Sequence, residues 1–352
     1  MAIESIGFHV TDRCQLDCDH CLRDPDQKPN DIDVALVRDA IREARAVYRT
    51  KHVIFTGGEP TLHPDFRGLV DAAIDQGCTW HLVTNARTLP DLLRMLAERP
   101  ARRAGLSAVC FSLDGATEAV HDGIREAGSY REVLRAASAS QAEGLPFSFQ
   151  MVVNARNVHE LEAMGMLASE LGAARLSFGM MQPTGTHHDA ELYLSARAWR
   201  NVVDRLDRLS AILKLPINLP EGFPRETPFH TCSAFAMNQL HVDVRGRLNL
   251  CCQHSGIPSS GDKSDVAGDL HEMPLTEAHA GLLDLIHREQ REKISYLRDR
   301  TLEPWDLFAC NHCLKSFGKP HWTDEGTAGA PAQRARWRGA WDKKVRLPQV
   351  GS

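Results

Sequence analysis

Six times between residue 5 and about residue 214, a short apolar run rich in Val, Ile and Phe precedes a longer segment of helical period. SIGFHVT leads to DVALVRDAIREARAV, whose apolar residues recur at spacings of three and four. HVIFTGG leads to DFRGLVDAAIDQG, TWHLVTN to LPDLLRMLAERPARR, and AVCFSLDG to YREVLRAASASQAEG. FSFQMVVN and ARLSFGMM introduce the last two helical segments. Near-continuous apolar strands alternating with amphipathic helices demand a parallel sheet covered by helices. Gly77, Gly144 and Gly172 stand where a left-handed residue ends a helix. Six units suit either an open sheet or a curved, incomplete barrel, and in both the reactive end is the carboxyl edge of the strands.

The alternation stops at KLPINLPEGFPRETP, residues 214–228, where prolines cluster and punctuate the chain. Three parts are expected: a core over 1–215, a smaller unit over 216–330 and a basic tail over 331–352. In the second, NQLHVDVRGRLNLCC alternates around an Arg-Gly turn and predicts a β-hairpin. A helix over about 276–300 then separates the hairpin from CNHC at 310–313. The tail, with two tryptophans, is expected to strap the domain or to be disordered.

Composition narrows the functional classes. A net charge of −5 over 352 residues lacks the basic footprint of a general nucleic-acid binder. No apolar run approaches the roughly 18 residues of a membrane span, and MAIESIGFHV is no signal peptide, so a cytoplasmic protein is expected. Ten cysteines in a reducing compartment then point to metal or redox chemistry rather than disulfides. Cys78 and Cys110 stand alone beside apolar segments and read as small buried hydrophobes.

Within HVTDRCQLDCDHCLRD, Cys14, Cys18 and Cys21 form a CxxxCxxC array on a loop that leaves the first strand. Three thiolates from one loop can ligate three corners of a 4Fe–4S cluster and leave the fourth iron open. Zinc is the competing reading, but a structural zinc wants four protein ligands, the last from Asp12, His20 or Asp24. The second strand ends on the same edge in Gly57-Gly58-Glu59-Pro60. Two glycines allow a ligand close to the backbone, and Glu59 offers an anionic acceptor for an ammonium group.

Taken together, these motifs resemble the radical SAM superfamily, Cys14, Cys18 and Cys21 matching its cluster motif and Gly57–Pro60 its GGEP motif. The resemblance implies a partial (β/α)6 barrel and S-adenosylmethionine chelating the open iron, its ammonium held by Glu59 and adjacent backbone. One electron from the cluster would then cleave the cofactor to methionine and a 5′-deoxyadenosyl radical, which abstracts a substrate hydrogen. Thr84-Asn85 and Ser112-Leu113-Asp114 end the third and fourth strands, and Arg125 lies in HDGIREAGSY, similar to a stretch of the peptide-modifying branch. Asn85, Ser112 and Arg125 are therefore candidate cofactor contacts, with Met180-Met181 near the adenine.

Cys232 is followed after 13 residues by Gly246, then after four by Cys251, and after 58 more by Cys310-xx-Cys313. This layout resembles the twitch module, a shortened relative of the SPASM domain, and implies a second, fully ligated auxiliary 4Fe–4S cluster. Spacing alone leaves zinc open. Cys252 is the alternative to Cys251, since neighbours on a strand point to opposite faces. His241 and His254 flank these cysteines and are candidates to support them, whereas His187-His188 reads as an exposed loop pair. The catalytic acid or base is not identifiable.

The resemblance favours oxidative modification of a peptide or protein residue, with electrons from an external reductant such as flavodoxin or ferredoxin. With a first strand at residue 5, no N-terminal leader-binding domain is expected. The alternative is a small-molecule dehydrogenase or another enzyme of specialised metabolism. A non-catalytic metal-binding or redox-sensing protein is the reading from another class, and would take up metal without cleaving S-adenosylmethionine.

Overall fold

A computed structural model of the chain describes residues 3–23, 28–183, 192–219, 222–223, 232–255, 257, 259, 263–299, 304–323 and 326–328. Asp24, the His187-His188 pair and the tail over 331–352 lie outside the described residues. The expected strands are β1 (Ser5–His9), β2 (His52–Thr56), β3 (Thr79–Thr84), β4 (Leu106–Ser112), β5 (Phe147–Val153) and β6 (Leu176–Met180). They pair in that order and all run parallel. Helices cross between them, among them α1 (Val34–Tyr48) and α2 (Phe66–Asp75). Asp33 caps the first by accepting from Ala35 N at 2.8 Å, and Asp65 caps the second through Gly68 N at 2.8 Å. Gly77, Gly144 and Gly172 take φ of 69°, 65° and 71°, the left-handed exits expected of them.

One face of the sheet buries its large side chains against the helices. Phe8, Phe55 and Trp80 point outward from successive strands, and Phe66 of α2 meets Phe55 and Trp80 edge-on at centroid distances of 6.0 and 6.2 Å. Such edge-to-face pairs add to the burial itself. Cys78 and Cys110 are buried at 4% and 5% exposure.

Beyond β6 the short strand β7 (Ile217–Asn218) closes one flank. On the other flank lies the expected hairpin, β8 (Gln239–Val242) and β9 (Arg247–Asn249), followed by β10 (Val266–Asp269). Gly246 occupies the turn at φ 76°, and the Asp243 carboxylate accepts from Arg245 N and Arg247 N at 3.0 Å each. β8 pairs parallel to β1, Ser5 against Gln239 through Phe8 against Val242. One hydrogen-bonded sheet therefore runs β10-β9-β8-β1-β2-β3-β4-β5-β6-β7 and does not close, which is a partial barrel. The helix Leu275–Asp299 docks on α1, where the Glu43 carboxylate accepts from Leu275 N and Thr276 N at 2.9 Å each. Among the described residues no helix is long and apolar enough to cross a membrane.

Candidate functional site

A cavity of about 830 Å³ opens at the carboxyl edge of the sheet. Cys14, Cys18 and Cys21 line it together with Gly57, Gly58 and Asn85, and Ser112 and Arg125 complete the same wall. The structure thus brings to one place residues that the sequence scatters over four strand ends. Met180 also lines the cavity, whereas Met181 is buried behind it.

The glycines of GGEP are explained by the chain's own backbone. Gly58 N donates to Thr11 O and Glu59 N to Arg13 O, each at 2.7 Å, so this turn is laced to the residues just before Cys14. A Cβ on Gly57 would meet Thr11 O at 2.6 Å, and one on Gly58 would meet Arg13 O at 2.3 Å. The close approach expected of a ligand is therefore first made by residues 11–13, which fixes where the cysteine loop leaves the sheet.

Glu59 is placed differently from the expectation. Its side chain is fully buried and does not line the cavity. Thr61 Oγ1 donates to it at 2.6 Å and Asn85 N at 2.8 Å, while Thr84 Oγ1 lies 2.9 Å from both carboxylate oxygens. Burial raises its pKa against these donors. Here the carboxylate holds the Thr84-Asn85 turn in place, and Asn85 in turn sets its Nδ2 3.7 Å from Cys14 Sγ. What GGEP presents to the cavity is Gly57 and Gly58. Pro60 is buried at the start of a short 3-10 turn.

Asp114 is the hub behind the cysteine loop. Its carboxylate is fully buried and accepts from Arg125 Nε at 2.5 Å and from Val152 N at 2.8 Å, with His20 Nε2 at 3.3 Å. Burial alone would raise its pKa, but Arg125, His20 and His121 outweigh it and hold the carboxyl low. Arg125 also sets Nη1 3.9 Å from Cys18 Sγ. Burial pushes the Cys18 thiol up to about 12 even with that guanidinium beside it. A thiol so placed becomes a thiolate by exchanging its proton for a metal. His121 accepts from Asp114 N at 3.0 Å, and burial pushes its pKa down to about 4, so it stays neutral. Sequence reasoning missed Asp114, His20 and His121 in this role; the only sign was their place in SLDG, CDHC and HDGIR.

The later cysteines also gather. Burial raises the Cys313 thiol, helped by Glu289 and by the nearby thiols of Cys232, Cys310 and Cys251. The Cys310 thiol fills the space a Cβ on Gly222 would take, 2.6 Å away, and lies beside Met180 at the end of β6. Cys251 and Cys252 both stand near these thiols, Cys251 among those acting on Cys313 and Cys252 beside Cys310, and Cys252 also lines the central cavity. His241 lines that cavity too, close to Cys251. His254 is buried and pushed down to about 3.

These donors fit iron–sulfur clusters better than single ions. A structural zinc wants four protein ligands, and His20, a candidate fourth ligand beside the loop thiols, sets its Nε2 3.3 Å from the Asp114 carboxylate instead. A four-iron cluster takes its thiolates at separate corners, which suits the three thiols around the cavity mouth and the four around Cys313.

An open parallel barrel with three loop thiols and a Gly-Gly turn at its carboxyl edge defines the class of protein. Residues 8–168 match the family model described as Radical SAM superfamily, and the chain carries a radical SAM domain. Among its relatives, mycofactocin maturase MftC of Mycobacterium tuberculosis (strain CDC 1551 / Oshkosh) is 33% identical over 196 residues, 54% of this chain and 48% of that protein. PqqA peptide cyclase of Gluconobacter oxydans (strain 621H) is 31% identical over 184 residues, 51% of this chain and 50% of that protein. The chain spans about half the length of the curated relatives it matches. Streptococcus suis SuiB bound to S-adenosylmethionine shares the fold at a TM-score of 0.65 and 12% identity, covering 90% of this chain and 74% of SuiB.

Proposed function

We propose that this chain is a radical SAM enzyme that oxidatively modifies a residue of a peptide or protein. One observation carries the reading: Cys14, Cys18, Cys21, Gly57, Gly58 and Arg125 line a single cavity at the carboxyl edge of an open barrel. The peptide substrate is supported by two relatives of similar identity, a maturase and a peptide cyclase.

In this reading Cys14, Cys18 and Cys21 hold a 4Fe–4S cluster whose open iron takes S-adenosylmethionine. Bound there, the pair supplies one-electron cleavage of a carbon–sulfur bond and a carbon radical able to take a substrate hydrogen atom. The chain's own residues do the rest. Arg125, neutralised on one side by Asp114, sets its remaining charge against Cys18. Gly57 and Gly58 leave the backbone beside the cofactor uncovered, and Asn85 and Ser112 offer polar contacts. Cys232, Cys251, Cys310 and Cys313 hold an auxiliary cluster in a twitch-like unit over 216–330, with the core over 1–215. The reductant is an external one-electron carrier such as flavodoxin or ferredoxin, and the protein works in the cytoplasm.

Replacing Cys14, Cys18 and Cys21 together by Ala tests this. Anaerobically reconstituted wild type should release 5′-deoxyadenosine and carry two clusters by iron and sulfide analysis. The variant should retain only the auxiliary cluster and release none. Colourless, zinc-loaded wild type would end the proposal.

A further inference from the structure

The thiols of the second unit come from segments far apart in the chain, and their meeting has to be arranged by other residues. Cys310 and Cys313 stand in the helix Ala309–Ser316, whereas Cys251 and Cys252 open a turn between β9 and β10. That turn folds on itself, since His254 N and Ser255 N donate to Cys251 O at 3.3 and 3.2 Å and Ile257 N donates to His254 O at 3.0 Å. Just before it, Leu250 N donates to the carbonyl of Asp265, the residue preceding β10, at 3.0 Å.

One side chain joins these segments. Lys319 leaves the helix of Cys310 and Cys313 through the left-handed exit at Gly318, φ 62°, and its own N donates to Leu314 O at 2.8 Å. From there the side chain crosses to the cysteine turn. Its Nζ donates to His254 O and Ile257 O at 2.7 Å each and lies 2.9 Å from Asp265 Oδ2. Lys319 is 2% exposed, a rare position for a lysine, and its desolvation must be offset by partners. Two of those partners are carbonyls of the turn itself. Burial lowers the pKa of the ammonium, while Asp265 and the Cys251 thiol act to raise it, so the charge stands close to that thiol.

We propose that Lys319 is the positioning residue of the auxiliary site: its ammonium ties the turn after Cys251 to the helix of Cys310 and Cys313, so that their thiols stand together before any metal arrives. Where metal alone must order such a turn, binding is weakened by the ordering, and a preformed turn avoids that loss. The ammonium has a second effect, because reduction adds negative charge to a cluster and a fixed cation nearby favours it. This inference rests on the auxiliary-cluster reading above only for the identity of the metal group.

The test compares wild type, Lys319→Met, Asp265→Asn and the variant carrying both, each reconstituted anaerobically. Wild type should carry about eight iron atoms per chain and Lys319→Met about four, the loss falling on the auxiliary cluster. The double variant leaves no charge stranded, so it should regain thermal stability over Lys319→Met and still carry about four iron atoms. A merely structural role would restore stability and iron together. Asp265→Asn keeps the ammonium on both carbonyls and should keep both clusters, with the auxiliary midpoint potential moved in the positive direction because the cation has lost its counter-ion. In metal-free protein, the amides of His254, Ser255 and Ile257 should be protected from hydrogen exchange in wild type and exchange about tenfold faster or more in Lys319→Met. Two full clusters in Lys319→Met, return of the second cluster in the double variant, or an unmoved potential in Asp265→Asn overturns the proposal. So does a turn that exchanges like unstructured peptide in metal-free wild type, a result that stands even where Lys319→Met fails to fold. Zinc at this site in wild type, lost in Lys319→Met, would remove the cluster reading alone; two clusters indifferent to Lys319 would remove this inference alone.

Discussion

Arg125→Leu is expected to destabilise the protein by about 3–5 kcal/mol, the loss typical of a buried ion pair broken from one side. Asp114 is 0% exposed, so without Arg125 its charge stays in the interior with Val152 N, His20 and the neutral His121 nearby and no fixed cation beside it. The cause is the stranded carboxylate rather than the lost attraction. Adding Asp114→Asn to the same chain should therefore recover at least half of the loss, because the amide oxygen still accepts from Val152 N and no charge remains. Urea denaturation of the two variants and the wild type measures both steps. A single variant within about 1 kcal/mol of wild type would place this pair among ordinary surface ion pairs. The single variant should also weaken S-adenosylmethionine binding, since the guanidinium sits 3.9 Å from Cys18 Sγ on the cavity wall.

Gly58→Ala is the second large effect. The new methyl would meet Arg13 O at 2.3 Å and Arg13 C at 2.8 Å, both backbone atoms that no side-chain rotation can move aside. Relief requires the two strands of chain to part, breaking Gly58 N to Thr11 O and Glu59 N to Arg13 O. Two backbone hydrogen bonds at about 1 kcal/mol each, with the strain added, put the cost at about 3 kcal/mol or more. Residues 11–13 lead directly into Cys14, so the cysteine loop moves with them. Equilibrium dialysis of reconstituted protein should show S-adenosylmethionine affinity down by more than tenfold. An Ala variant that binds the cofactor as wild type does would show that the turn is not braced in this way.

The barrel was legible because its strands are short, apolar and regularly followed by helical periodicity, so each unit declares itself locally. The cysteines stood out because metal chemistry constrains their spacing, but spacing did not separate Cys251 from Cys252, whose thiols hydrogen-bond each other. The hairpin was readable from its alternation and its Arg-Gly turn. Its parallel pairing with β1 was not, because the choice of a neighbouring strand is a long-range matter that alternation does not encode. Glu59 shows a second limit: the letters GGEP place a carboxylate on the right edge without saying that Thr61, Thr84 and Asn85 will claim its oxygens. The apolar runs hid a third, because near-continuous apolar sequence does not say which face of a strand will line a cavity. Gly7, Ser112, Gln150 and Gly179 instead make the cavity side of the strands polar or small. Asp114 escaped notice because it acts through three partners distant in sequence, His20, Arg125 and Val152.

The most direct measurement is electron paramagnetic resonance of a Cys232→Ala/Cys310→Ala/Cys313→Ala variant, reduced anaerobically with and without S-adenosylmethionine. Only the cluster on Cys14, Cys18 and Cys21 should then contribute. The account predicts a reduced 4Fe–4S signal whose g values shift when the cofactor is added, the mark of a ligand taking the open iron. A signal unchanged by saturating cofactor, or the absence of any cluster signal from that variant, would contradict it.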